Sequence, residues 1–282
     1  MKTDRELKAL ATRIRIGAVE SFKARGFGHV GGALSVCDLL AVLYGDVMRY
    51  RPEDPRWPER DKLVCSKGHA GPAVYAALAI QGFFPYDDIK TLNQPGTRFP
   101  SHCDRNKTPG IDMTTGSLGQ GTSQAVGMAM GDRLKGLDSR TFLVVGDGEL
   151  NEGQVWEAAM LAASRGVSNM IWFIDDNKKQ LDGCCCDIVK NFDIEKKFTA
   201  FGFHAQTVPG GDIAALRAAI ARCDASGDAP HAIVMDGVKG AGIREVEETQ
   251  ANHSMNVTPE TCDRWLSDLR AELSALEGGA DA

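Results

Sequence analysis

The chain has no CxxC pair among its eight cysteines, no excess of basic over acidic residues, and few aromatics. Each shortage removes a class of function. Without CxxC spacing a structural zinc site lacks its usual framework, and three of the cysteines fall consecutively at Cys184, Cys185 and Cys186. A disulfide scaffold suits short secreted chains, not one of 282 residues, so reduced thiols in a cytoplasmic protein are expected. Against 38 Asp and Glu stand 32 Lys and Arg, a net charge of −6, which lacks the basic footprint of a nucleic-acid binder. The charge-free stretch from Gly68 to Tyr86 contains His69, Pro72, Gln81 and Pro85 and fails as a membrane-spanning helix. The first eight residues, Met1 to Lys8, are charged and carry no apolar signal-peptide core. A soluble protein without nucleic-acid or membrane partners is the expectation.

What is present points to one class. Hydrophobic residues make up 43% and charged residues 25%, enough to build a buried core. Aromatics at 7%, against 31 glycines, suit helices packed closely on a sheet better than an all-β sandwich. Leu7, Leu10, Ile14, Ala18 and Phe22 recur at helical spacing and end near Gly26. Ser35 is expected to cap a second helix carrying Leu39, Leu40, Val42 and Leu43. Arg51 to Pro58 reads as an exposed loop, Lys62 to Cys65 as a short strand, and Pro72 as the opening of an Ala-rich helix.

Residues 93 to 121 show no periodicity, and loops of that length are commonly functional. Beyond them a helix runs through Ala125, Met128 and Leu134. Strands at Phe142–Val145, Met170–Ile174, Phe203–Val208 and Ala232–Met235 then alternate with helices at Glu152–Arg165 and Ile213–Cys223. The alternation predicts an α/β fold, a parallel sheet with helices on both faces. Residues 260 to 276 form a last amphipathic helix with Trp265, Leu266, Leu269 and Leu273, and Glu277 to Ala282 a frayed tail. No linker or internal repeat divides the chain, so one domain is expected.

Chemistry concentrates at loop positions. Gly146-Asp147-Gly148 ends one apolar strand, and Asn177 follows the next, thirty residues after Asp147. Open α/β sheets bind ligands at the carboxyl ends of their strands, so a carboxylate and a carboxamide oxygen arrive at one edge. Such a pair suits Mg²⁺ if a diphosphate supplies further oxygens, and Gly148 allows close backbone approach. Of six histidines, His29, His69, His102 and His253 lie in loops, where imidazole can donate, accept or move protons near neutral pH. His204 and His231 flank strands and read as structural.

Gly146-Asp147-Gly148 with Asp176-Asn177 resembles the thiamine-diphosphate signature of the transketolase family, and the likeness runs from the first helix to about residue 255. The resemblance implies that Asp147, Asn177 and the Lys179 backbone carbonyl bind Mg²⁺. It implies that Gly116, Ser117 and Leu118, in the loop Gly116-Ser-Leu-Gly-Gln-Gly121, contact thiamine diphosphate together with His69, Gly146, Gly148 and Glu149. His29, His102 and His253 are implied to contact the sugar and aid proton transfer, His69 to lie near the diphosphate, and Glu152 to link paired active sites. Where the family often has His-Gly-x-Pro, this chain has His253-Ser254-Met255-Asn256; Arg244 to Glu248 reads as a solvated loop, and Cys184 to Cys186 have no chemical account.

Transketolases are normally more than twice as long, and their second domain supplies a glutamate for the aminopyrimidine and arginines for the substrate's phosphate. The resemblance therefore implies the N-terminal, diphosphate-binding half of a split transketolase. Residues 1–282 would form this single domain, with a C-terminal subunit completing an α₂β₂ assembly that moves two-carbon ketol units between sugars or sugar phosphates. The alternatives are the α subunit of a 2-oxo acid dehydrogenase, which would not be expected to carry this histidine set, and a noncatalytic interaction protein of the same fold.

Overall fold

The first helix begins at a reciprocal cap: Thr3 Oγ1 accepts from the Glu6 N–H at 3.2 Å, and Glu6 Oε2 accepts from the Thr3 N–H at 2.7 Å. The structure is a computed structural model and describes residues 1–225 and 227–278; of the tail expected at 277–282, residues 279 onward lie outside this range. In chain order, α1 (Asp4–Arg25), β1 (Phe27–Gly28), α2 (Val30–Leu34) and α3 (Cys37–Val42) precede the first long strand, β2 (Lys62–Cys65). Then come α4 (Gly71–Ile80), α5 (Gln120–Leu134), β3 (Thr141–Gly146), α6 (Gly153–Ser164) and β4 (Met170–Asp176). A small hairpin of β5 (Lys179–Gln180) and β6 (Gly183–Cys184) leads into α7 (Cys185–Ile188), α8 (Ile194–Ala200) and β7 (His204–Pro209). The chain finishes with α9 (Ile213–Asp224), β8 (His231–Asp236), α10 (Arg244–Glu248), β9 (Met255–Asn256) and α11 (Pro259–Gly278).

Five strands form one sheet in the order β2-β3-β4-β8-β7, every neighbouring pair parallel. Side chains alternate across a strand, and the sheet buries both faces. Phe142, Val144, Ile171, Phe173 and Ile233 join the core built with α1, α3, α4, α9 and α11. Leu143, Val145, Trp172, Ile174 and Val234 join the opposite core, with α5, α6 and α8. Val30–Val47 is apolar and long enough to cross a membrane, but 78% of it is buried, as the core of a folded domain requires.

Three local expectations are corrected. Ser35 does not cap the second helix: residues 30–34 are already helical, Val36 occupies the N-cap of α3, and the Ser35 hydroxyl donates to Asp175 Oδ2 at 2.7 Å. A buried carboxylate outcompetes the cap. Arg244 to Glu248 is the short helix α10, held because Val246 is buried and Asn252 Nδ2 donates to its carbonyl at 2.9 Å. The cysteines are not all reduced: Cys184 and Cys186 are disulfide-bonded, their Cα atoms 5.2 Å apart. That separation falls within the reach of a disulfide.

Candidate active site

The sheet aims four of its five strands at one place. β2 ends in Ser66-Lys67-Gly68-His69, β3 in Asp147, β4 in Asn177 to Lys179, and β8 leads to Lys239. They line a cleft of about 700 Å³, mouth included, together with His29, His102, Gly116, Leu118 and His253. Its position outside the carboxyl ends of parallel strands is where such sheets bind ligands.

At the floor, Asp147 is almost fully buried and accepts from the Gly148 N–H at 2.8 Å and the Lys178 N–H at 2.6 Å. Burial, and then the neighbouring Asp175 charge, push its carboxyl up to about 7. A buried carboxylate so weakly compensated calls for a cation. Lys178 adopts a left-handed φ of 71°, a costly conformation for a non-glycine residue. That twist supplies the N–H to Asp147 and turns the chain into β5. Asn177 Nδ2 donates to Asp175 Oδ2 at 2.7 Å, which fixes its amide, while its Oδ1 accepts from the Lys179 N–H at 3.2 Å. The Lys179 carbonyl accepts from Lys239 Nζ at 2.9 Å. One buried carboxylate, one carboxamide oxygen and one carbonyl are hard oxygen donors, and they fit Mg²⁺ accompanied by a diphosphate. A Cβ on Gly148 would lie 2.6 Å from the Cβ of Gln180, so only glycine lets these two segments meet.

Two lysines flank these donors. Lys67 is buried and ion-paired with Asp175. Lys239 is nearly buried; desolvation and then the Lys67 charge bring it down to about 8. Neither lysine was singled out in the sequence. Lys67 sits in the segment that ends β2, and Lys239 follows the last apolar strand, so the strand-end rule points to both.

Above the floor the four loop histidines converge, with ring centroids 4.7 to 6.5 Å apart in five pairings. Burial is the first cause lowering all four. His29 comes down to about 4, with His102 next, and His253 to about 3, with Lys239 next. His69 falls well below its ordinary value, with Lys67 next, and His102 is also lowered. All four are therefore neutral near pH 7, each offering one N–H donor and one acceptor. Lys239 donates to His253 Nδ1 at 3.0 Å, which leaves Nε2 as the protonated nitrogen. Asn252 places this loop: its carbonyl accepts from the Gly31 N–H at 2.9 Å, and its Nδ2 donates to the Lys239 carbonyl at 3.1 Å. His102 is placed by Tyr75, whose hydroxyl donates to its carbonyl at 3.1 Å. The next N–H, Cys103, bonds the Gly68 carbonyl at 3.3 Å.

Other expected residues separate into three groups. Gly116, Leu118, Gly146 and Gly148 line the cleft. Glu149 borders it, but its carboxylate is taken up by the protein: Ser66 Oγ at 2.5 Å, the Gly119 N–H at 2.8 Å and the Gly146 N–H at 3.1 Å. It ties the Gly116–Gly121 loop to the Gly146–Gly148 turn. Ser117 is exposed and does not line the cleft, because its carbonyl turns to accept from the Gln120 N–H at 3.3 Å. Glu152 also stands outside the cleft, exposed at the start of α6 without a side-chain cap bond, its Cβ beside Gly119. His204 and His231 begin β7 and β8, at the end of the sheet away from the cleft, and stack on each other at 5.4 Å.

A family profile described as "Transketolase, thiamine diphosphate binding domain" matches residues 6–265. The 6-deoxy-6-sulfo-D-fructose transketolase subunit SqwG of a Clostridium species is 45% identical over 95% of this chain and 97% of its own length. An apulose-4-phosphate transketolase subunit of Actinobacillus succinogenes is 35% identical over 95% and 96% respectively. The transketolase structure from Leishmania mexicana superposes with a TM-score of 0.82 at 29% identity, over 99% of this chain but only 46% of that one.

Proposed function

We propose, from the premise that the chain belongs to the transketolase family as its thiamine diphosphate-binding part, that it is the N-terminal subunit of a two-subunit transketolase. In this reading it transfers a two-carbon ketol unit from a ketose to an aldose once a C-terminal subunit has joined it. The observation that carries the reading is the single cleft in which the Asp147, Asn177 and Lys179 oxygens lie beneath four neutral histidines. An α subunit of a 2-oxo acid dehydrogenase would have little use for that histidine set, since its substrate lacks a row of hydroxyls.

Thiamine diphosphate, when bound, supplies the electron sink for carbon–carbon cleavage; the protein binds and orients. Asp147, Asn177 and the Lys179 carbonyl would hold Mg²⁺, and Lys239 and Lys67 would place positive charge beside the diphosphate. Gly116 and Leu118 would shape the wall against the cofactor rings. His29, His69, His102 and His253 would hydrogen-bond the hydroxyls of the sugar and hold or accept a proton at the oxygen where charge develops. Neutral imidazoles suit a polyol because they can both donate and accept, with His253 left to donate from Nε2.

The subunit relatives match this chain nearly end to end, whereas the chain spans less than half of the Leishmania transketolase. A separate C-terminal subunit is therefore the proposed source of the remaining cofactor and substrate contacts, in a cytoplasmic α₂β₂ assembly. Its donor is proposed to be a ketose with an anionic tail, with 6-deoxy-6-sulfo-D-fructose, the substrate in the name of the 45% identical relative, tried first. Two-carbon transfer from that ketose and from xylulose 5-phosphate to an aldose acceptor, measured with the partner, thiamine diphosphate and Mg²⁺, tests this. Transfer abolished by Asp147→Ala supports the reading. A cofactor-loaded assembly inert toward both donors rejects it.

A further inference from the structure

The consecutive cysteines take no part in the chemistry above, yet they lie against its metal donors. Cys184 ends the β5–β6 hairpin, directly opposite Lys179 in register, and Cys186 is exposed in α7. Their sulfurs are bonded to each other, and the Cys186 N–H donates to Cys184 Sγ at 3.2 Å. Between them Cys185 turns inward and is buried. Its N–H donates to the Lys178 carbonyl at 2.9 Å, and its side chain lies near Asp147. The bridge thus constrains the backbone on both sides of Cys185, and one of its cysteines is the ladder partner of Lys179. A disulfide enclosing one residue constrains little of the unfolded chain and is a poor staple. One reachable from solvent is open to thiol exchange.

We propose that Cys184 and Cys186 form a reversible dithiol–disulfide site that reacts with low-molecular-weight disulfides, and that its oxidised form binds the diphosphate cofactor more tightly. The coupling rests on the functional reading above; the thiol chemistry does not. In the forward direction one cysteine thiolate attacks a small disulfide, giving a mixed disulfide and one small thiol. The second thiolate attacks the mixed disulfide's protein sulfur and releases a second small thiol. Two protein thiols lose two electrons and two protons, and one small disulfide gains them. Because the bridge constrains the backbone on both sides of Cys185, beside the metal donors, cofactor affinity should differ between redox states by at least about fivefold. Linkage then requires cofactor to favour the disulfide by the same factor, about 20 mV in its two-electron potential.

The test uses the assembled complex with its C-terminal subunit, poised in mixtures of reduced and oxidised glutathione. Peptide mass mapping should find Cys184 linked to Cys186 with Cys185 free, at a midpoint that thiamine diphosphate and Mg²⁺ shift toward the disulfide. Cofactor titration by calorimetry should be tighter in the oxidised complex, and Cys186→Ser should abolish the redox dependence while leaving the chain folded. A linkage through Cys185, a dithiol retained by a bound soft metal instead of a bond, or redox dependence surviving in Cys186→Ser overturns the proposal. So does equal cofactor affinity in both states. Absence of cofactor binding in both refutes the functional reading and the coupling together, while the mass map still decides the thiol site.

Discussion

Replacing Glu149 by Gln removes one negative charge from a site where it meets three donors and almost no water. The side chain is 1% exposed and accepts from Ser66 Oγ, the Gly119 N–H and the Gly146 N–H at 2.5, 2.8 and 3.1 Å. Glutamine keeps one acceptor oxygen, which can serve Ser66 and Gly119, but its NH₂ then faces the Gly146 N–H. A hydrogen bond to a charged group is worth about 1.5–3 kcal/mol, and an orphaned buried donor costs about 1–3 kcal/mol. Since these overlap at Gly146, a net loss of roughly 2–4 kcal/mol in folding stability follows. The same change unties the Gly116–Gly121 loop from the Gly146–Gly148 turn, both of which border the cofactor cleft. Denaturant unfolding of the chain should record the stability loss. Calorimetric titration of the assembled complex should show thiamine diphosphate bound about tenfold more weakly or worse, equivalent to 1.4 kcal/mol or more. Stability within about 0.5 kcal/mol of the parent, as for an ordinary surface change, together with unaltered cofactor affinity, would refute the role of Glu149 as the tie.

Asp147 must lose its proton to ligate a cation, and its carboxyl is raised to about 7, so Mg²⁺-dependent cofactor affinity should be flat above pH 7 and fall about tenfold per unit below it. A level profile between about pH 5 and 7 would contradict this. His102→Ala should slow two-carbon transfer roughly 10²–10⁴-fold, and a loss under about tenfold would remove it from the catalytic group. Lys239→Met should weaken thiamine diphosphate by about 10- to 100-fold in an equilibrium titration, the worth of one charge-assisted hydrogen bond. Arg15 is buried against Asp38 and donates from Nε to the Ala241 carbonyl at 2.8 Å. Arg15→Met should therefore cost about 3–5 kcal/mol in denaturant unfolding, with part of the loss recovered by adding Asp38→Leu.

Periodicity made the sheet legible because its strands are buried on both faces. Phe142–Val145 and Met170–Ile174 are unbroken apolar runs, and each is a central strand of the parallel sheet. The strand-end rule then placed Asp147 and Asn177 together, and four loop histidines were enough to anticipate a cluster that only folding assembles. What stayed hidden depends on partners distant in sequence. Ser35 reads as a cap until Asp175, 140 residues on, takes its hydroxyl. Glu149 gives no sign in the sequence of its tie to Ser66, Gly119 and Gly146, which only the fold brings together. Lys239 carries only the strand-end signal, and its position against Lys179 is set by Asn252 and the loop after β8. α8, whose N-cap Asp193 accepts from the Lys196 N–H at 2.9 Å, is too short for its periodicity to register.

The most direct measurement is the equilibrium binding of thiamine diphosphate to this chain, to its C-terminal partner, and to their mixture, each with Mg²⁺ and with a chelator. The account predicts saturable, Mg²⁺-dependent binding in the mixture alone, at one cofactor per pair of chains, and its loss in Asp147→Ala. Binding by the mixture that ignores both the chelator and Asp147→Ala, or no binding by the mixture at all, would contradict it.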